Sequence, residues 1–291
     1  MPELPEVEVT RRELSPHLLG RVIERARTTG PSYFFLTTPR TLSRRLRGRR
    51  VESLERRGKY LLLGLEGGAR LLLHLGMTGQ LFFDGASSVR LLSSTAAASL
   101  APEVQARFTP DAHTHLTLEF EDDGPRLFFR DVRKFGKVEW LPAGESCARL
   151  DKLGVDALEA TGANLHAAAK KRRAPIKSVL LDQRVLAGVG NIYADEALFL
   201  AGVRPDRAAN RVSRARCDAI VEAAQCVMLR SIETGGSSIS DYVRPGGEDG
   251  GYQDERHVYG REGEDCPTCG ALIRKTSVGQ RGTHYCPRCQ R

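Results

Sequence analysis

Apolar residues follow two different rhythms along this chain, and the change falls near residue 140. Val7, Leu14 and Leu18 recur near helical spacing with Arg11, Arg12 and Glu13 between them, which predicts a helix at the start. From residue 20 to 140 the period shortens. Val22-Ile23 and the stretches 60–65, 71–75, 80–83, 116–120, 127–130 and 137–140 are short apolar or alternating runs, separated by turn formers such as Glu66-Gly67-Gly68 and Asp122-Asp123-Gly124. Many short strands with turn signals predict a β-sandwich or barrel-like first domain behind the N-terminal helix. Within it, Ala86 to Pro110 is rich in Ala, Ser and Leu and has no strand pattern, so it reads as a surface insertion.

Past Trp140 the pattern turns helical, after a linker over 141–150 marked by Pro142 and Gly144. Pro175 to Asp182 and Ser213 to Glu233 carry apolar residues on one side, the second ending at Gly235-Gly236. Asn191 is placed to cap a helix over Ile192–Leu200. Gly188-Val189-Gly190 before it either admits an anion to the helix start or forms an ordinary tight turn. A glycine-rich stretch over 235–257 predicts a mobile loop.

The C-terminus carries Cys266-Pro267-Thr268-Cys269, sixteen residues, then Cys286-Pro287-Arg288-Cys289. Two such pairs predict tetrahedral Zn²⁺. Four thiolates close the coordination shell and leave no place for an activated water, so one structural ion is expected, and a disulfide alternative is disfavoured in a reducing cytosol. Lys275 to Arg281 lies between the pairs and suits the tip of a hairpin. Cys147, Cys217 and Cys226 lack such partners and read as packing residues. The chain therefore divides into a first domain over 1–140, a linker over 141–150, a helical domain over 151–257 and a zinc finger over 258–291. The expected class is α+β multidomain.

At 291 residues the chain is long enough for two lobes with separate cores. Its hydrophobic content of 41% suits a globular protein, and no run of eighteen apolar residues is present to span a membrane. Residues 1–30 are charged throughout, which argues against a signal peptide and for a cytoplasmic location. A formal charge of +8 suggests a polyanion partner, because Lys and Arg release counterions on meeting phosphates. Charge is a weak signal alone. Basic clusters at Arg44, Arg45, Arg47, Arg49 and Arg50, at Arg56, Arg57 and Lys59, and at Lys170 to Arg173 sharpen it only slightly.

The opening Met1-Pro2-Glu3-Leu4-Pro5-Glu6-Val7-Glu8 is the stretch with the most chemistry. Removal of Met1 makes Pro2 the N-terminus, a secondary amine able to form a cationic iminium with a sugar aldehyde carbon. An α-amino group has a pKa of about 7.7 to 8.0 against about 10.4 for lysine, so more of it is unprotonated near neutrality. Read without that chemistry, Glu3, Glu6 and Glu8 only favour a helix start through its dipole.

This opening resembles that of the formamidopyrimidine-DNA glycosylases, bacterial repair enzymes that excise oxidised purines. Similar blocks recur in family order: Arg57-Gly58-Lys59-Tyr60, His74-Leu75-Gly76-Met77-Thr78-Gly79, Arg133-Lys134-Phe135-Gly136, Gly188 to Glu196, Val258-Tyr259-Gly260-Arg261 and the terminal cysteines. The resemblance implies a β-sandwich catalytic domain, a helix-two-turns-helix and a zinc-finger hairpin. It implies Pro2 as nucleophile, Glu3 as proton donor, Lys59 as a further catalytic group and Glu6 as support of the helix. By the same resemblance His74, Lys134, Lys177, Asn191 and Arg281 contact the DNA backbone, while Met77, Arg133 and Phe135 fill the space left by an extruded base. Loop 235–257 corresponds to the segment that closes over that base. The implied partner is damaged double-stranded DNA, met by a monomer at the bacterial nucleoid.

Two rivals remain. A sibling glycosylase for oxidised pyrimidines shares Pro2 and Glu3, but its opening resembles PEGPE, whereas Leu4 stands here. A noncatalytic zinc-ribbon DNA binder accounts for charge and cysteines but not for the amine and acid.

Overall fold

The computed structural model describes residues 2–87, 108–239 and 241–291. The chain forms two compact units, Met1–Cys147 with Thr234–Gln253, and Ala148–Glu233 with Asp254–Arg291.

The first unit opens with α1 (Leu4–Leu18) and continues through β1 (Ile23–Thr28), α2 (Pro39–Leu46), β2 (Val51–Arg57), β3 (Tyr60–Leu65), β4 (Arg70–His74), β5 (Gly79–Phe83), β6 (Thr114–Phe120), β7 (Leu127–Asp131) and β8 (Lys137–Leu141). The strands make two four-stranded antiparallel sheets, β1-β6-β7-β5 and β2-β3-β4-β8. Alternate residues of both, including Leu61, Leu63, Leu71 and Leu73 from one sheet and Leu116, Leu118, Leu127 and Phe129 from the other, meet in one apolar core. The expected β-sandwich is thus present. Val7, Leu14 and Leu18 of α1 join the same core, so burial of the helix's apolar stripe fixes the N-terminus to the sandwich.

Strands β5 and β7 are buried on both faces, not one. Their outward side chains Phe82 and Phe128 pack with Ala86, Phe108 and Val243 in a second cluster, so the returning segment 234–253 covers that face. The Ala/Ser-rich stretch lies mostly outside the described residues. At its ends, the Phe108 amide donates to the Ala86 carbonyl at 2.8 Å. Two elements escape the period-two reading of 20–140. Helix α2 is short, with Leu42 and Leu46 buried one turn apart and Arg40, Arg44 and Arg45 among its other residues, and β2 buries only Val51 and Leu54, three apart beside a register shift between Val51 and Ser53.

The second unit contains α3 (Ala148–Asp151), α4 (Gly162–Ala169), α5 (Ile176–Leu180), α6 (Asn191–Leu200) and α7 (Arg214–Glu233), with a two-residue parallel bridge of β9 (Val155–Asp156) and β10 (Leu186–Ala187). It ends in a hairpin of β11 (Arg274–Val278) and β12 (Arg281–Tyr285). The hairpin turn Gly279-Gln280 has φ of 56° and 62°, the doubly left-handed geometry that matches strand twist in a two-residue connection. Gly190, not Asn191, occupies the N-cap of α6; Asn191 is its first residue. Among the described residues, no helix is long and apolar enough to cross a membrane.

Candidate functional site

In the first unit, Pro2 and Glu3 are buried just ahead of α1, and Glu3 holds the extended N-cap conformation. Pro5 suits the first turn, where its missing amide hydrogen is no loss. The Glu3 amide donates to Glu6 Oε2 at 2.8 Å, and the other oxygen of Glu6 accepts from the Ser237 amide at 3.0 Å. Glu6, 1% exposed, therefore ties the N-terminal segment to loop 235–253 of the same unit. The loop is further joined to the sandwich by Gln80, whose amide donates to the Asp241 carbonyl, and by an ion pair of Arg244 with Glu13 at 2.5 Å.

Glu8 was not singled out by its sequence position beyond helix-start preference, yet it anchors a network. It pairs with Arg11 and Arg12 at 2.8 Å and with Arg56 of β2 at 3.2 Å. Burial alone raises its pKa, but the hydrogen bonds from Arg11 and Arg12 and the charges of Arg11 and Arg56 outweigh that and bring it to about 2. The neighbouring Lys59 is 8% exposed in the Gly58-Lys59 turn between β2 and β3.

His74 ends β4, its ring 4.6 Å from that of Tyr60, and its Nδ1 accepts from the Gly76 amide at 3.2 Å. Met77 follows, half-buried. In the turn after β7, Arg133 and Phe135 are exposed, and the guanidinium lies 4.6 Å from the centre of the Phe135 ring. An exposed cation lying over an exposed ring presents two groups suited to contact with bases. Lys134, between them, has φ 57°.

The second unit gathers the other expected residues around one carbonyl. Gly282 O accepts from Asn191 Nδ2 at 2.9 Å and from Lys177 Nζ at 3.0 Å, next to the exposed Arg281. Lys177 differs from the expectation of a phosphate contact. It has no exposed surface, and its ammonium lies 2.7 Å from both Asp195 Oδ1 and Thr283 Oγ1. A buried charge paired in this way cannot turn to a phosphate without breaking the pair, which is costly. Asp195 also accepts from the His284 amide at 2.8 Å. Its neighbour Glu196 accepts from three successive amides, His257, Val258 and Tyr259, at 2.8 to 2.9 Å. Burial opposes its charge, but the hydrogen bond from His257 and these amides hold its pKa below the usual carboxylate range. Asp195 and Glu196 stand inside a recognised sequence block, but nothing in the sequence marks them as tethers.

The four terminal cysteines come together with all Sγ atoms within 4.8 Å of one another. Sulfurs bound to Zn²⁺ at about 2.3 Å in a tetrahedron stand about 3.8 Å apart. The pairs Cys266–Cys289 and Cys269–Cys286 lie at 3.8 and 3.5 Å, so the cage suits a single structural zinc ion. Phe199, Val258 and Ile273 pack around it.

Comparison with known proteins agrees with this layout. The formamidopyrimidine-DNA glycosylase N-terminal domain matches residues 1–138, the H2TH domain of the same enzymes matches 153–243, and a zinc finger found in FPG and IleRS matches 263–291. Formamidopyrimidine-DNA glycosylases of Cereibacter sphaeroides and Halorhodospira halophila are 41% and 42% identical over the whole of both chains. The MutM (Fpg) protein of Thermus thermophilus superposes with a TM-score of 0.82 at 38% identity, covering 99% of this chain and 98% of that one. A mutant of the Lactococcus lactis Fpg, solved with a Fapy-dG containing DNA, gives 0.85 at 33% identity with both chains fully covered. With three family models matched in order along the chain and two-fifths of positions identical to a relative over the full length, the chain belongs to the formamidopyrimidine-DNA glycosylase family.

Proposed function

We propose that this chain is a bifunctional repair enzyme that excises oxidised purines, 8-oxoguanine and formamidopyrimidines, from double-stranded DNA and then cuts the strand at the abasic site. The observation that carries the reading is the clamped N-terminal segment, where Pro2 precedes a buried Glu3 and Glu6 binds both Glu3 and loop 235–253. A nucleophile on a rigid helix start, next to an acid, has the two groups that base removal needs. Relatives solved with Fapy-dG and with abasic-site DNA supply the substrate class.

In this mechanism the Pro2 nitrogen attacks the anomeric carbon of the damaged nucleotide as the bond to the base breaks, and Glu3 delivers a proton to the opening sugar or leaving group. The resulting iminium acidifies the adjacent sugar carbon. Loss of that proton expels the phosphate on one side by β-elimination, and δ-elimination expels the other, leaving a gap. Lys59 assists from its turn beside α1's network, and Glu6 positions the segment. His74, Lys134, Asn191 and Arg281 hold backbone phosphates, which orients the duplex without identifying the lesion. Lys177 supports that set from beneath, fixing Gly282 beside Arg281. Met77, Arg133 and Phe135 fill the void left by the flipped base, which costs a few kcal/mol to extrude. The protein acts as a monomer in the cytoplasm, with a catalytic part over 1–140, a helical part over 151–257 and a finger over 258–291.

Single-turnover excision from duplexes carrying oxidised guanine or an oxidised pyrimidine tests the substrate class. Faster release of oxidised guanine is expected. The reverse order assigns the chain to pyrimidine lesions instead.

A further inference from the structure

The loops that carry Met77, Arg133 and Phe135 are joined by one buried carboxylate. Asp131 ends β7 opposite Gly79 of β5 and has no exposed surface. A carboxylate in such a place must be satisfied by donors, and these come from both loops. Oδ1 accepts the Thr78 hydroxyl at 2.5 Å and the Arg133 amide at 3.3 Å; Oδ2 accepts the Gly136 amide at 2.6 Å. The Thr78 oxygen in turn accepts from the Arg133 amide at 3.1 Å. The turn over 132–136 is thus held at both ends, once through the loop that follows β4.

The two loops also touch directly. Gly76 has φ 64°, and a Cβ there would lie 2.5 Å from the Gly136 nitrogen, so only glycine permits this approach. On the exposed side, the Tyr33 hydroxyl donates to the Arg133 carbonyl at 3.0 Å. Lys134 holds a left-handed conformation that is uncommon for a residue with a side chain and that persists where its surroundings over-determine it.

We propose that Asp131 is a positioning residue which, through Thr78, locks the two loops into one body so that Met77, Arg133 and Phe135 enter the duplex as a unit. A guanidinium placed in that void faces the orphaned base and can discriminate it, so discrimination by Arg133 would depend on a carboxylate that touches neither DNA nor the reacting sugar. The inference rests on the void-filling role proposed above. The chemistry at Pro2 is independent of it.

The test compares the parent with Thr78→Val, Thr78→Ser and Asp131→Asn. Two quantities are measured: the ratio of single-turnover excision of oxidised guanine opposite cytosine to that opposite adenine, and borohydride trapping on a preformed abasic site. Loss of a hydrogen bond to a buried charge should lower the ratio by about tenfold in T78V and D131N while trapping stays within about twofold of the parent. T78S keeps the hydroxyl and should restore the ratio. A T78V protein with the parental ratio, or a T78S protein no better than T78V, overturns the inference alone. A parent that fails to trap at an abasic site overturns the functional reading and the inference together.

Discussion

The two units hold their functional loops by different means. In the sandwich unit the loops project from a large apolar core, and carboxylates at its edge, Glu6 and Asp131, accept amides that set loop conformation. In the other unit the finger has a small apolar cluster, and it leans on four thiols and on adjacent acids of α6, Asp195 and Glu196, which take the Lys177 ammonium and four amides. The difference teaches where damage should show. Removing a tether from the first unit leaves the fold and alters the reaction, whereas removing one from the finger takes the Arg281 hairpin with it.

The largest effect that would sharpen this contrast is Glu3→Gln. Loss of general acid catalysis should lower base excision by about 10²- to 10⁴-fold, with thermal unfolding near that of the parent. Excision at the parental rate would remove Glu3 from the chemistry. Cys266→Ser or Cys289→Ser should release zinc and weaken binding of lesion DNA by at least about tenfold, because metal binding and folding of the finger are coupled. Metal analysis with a binding titration checks this; a zinc-free variant that binds normally would break the comparison.

Arg133→Ala comes next. A guanidinium facing the orphaned base is worth about 1–3 kcal/mol of discrimination, so the preference for cytosine over adenine should shrink. Uniformly lower rates with an unchanged ratio would reassign Arg133 to the DNA backbone.

The smallest effect is one of pH. Glu8 has its pKa lowered from 4.5 to about 2, so its contribution to stability is fully present above the ordinary carboxylate range and is lost as pH falls from about 4.5 toward about 2. Arg11 and Arg12 are partly solvated, so the contribution is discounted to about 1–2 kcal/mol. Glu8→Gln should therefore unfold earlier than the parent at pH 7 and alongside it near pH 2, as followed by urea titration at each pH. An equal gap at both would place the effect in packing.

Much of this was legible in the sequence because it lies in local patterns. The cysteine spacing, the helical stripe of α1 and the alternating runs each carry their own signal, and the sandwich and the zinc cage follow from them. The tethers do not. Asp131 and Glu196 act by accepting amides from residues brought near by tertiary structure, and an acid at such a place reads in sequence like any surface acid. Lys177 illustrates the converse: its identity suggests a phosphate, but its surroundings spend its charge on Asp195. Helix α2 was hidden because eight residues with two buried leucines offer little periodicity.

The central claim is that the Pro2 nitrogen is the nucleophile, and covalent trapping tests it most directly. Protein confirmed by mass spectrometry to begin at Pro2, and the same protein with one added residue ahead of it, are each treated with borohydride on an oxidised-guanine duplex. The free amine should give a stable protein–DNA adduct, with the crosslink located on Pro2. The extended protein, whose nitrogen is an amide, should give none. Efficient trapping by the extended protein, or an adduct on a lysine, would contradict the account.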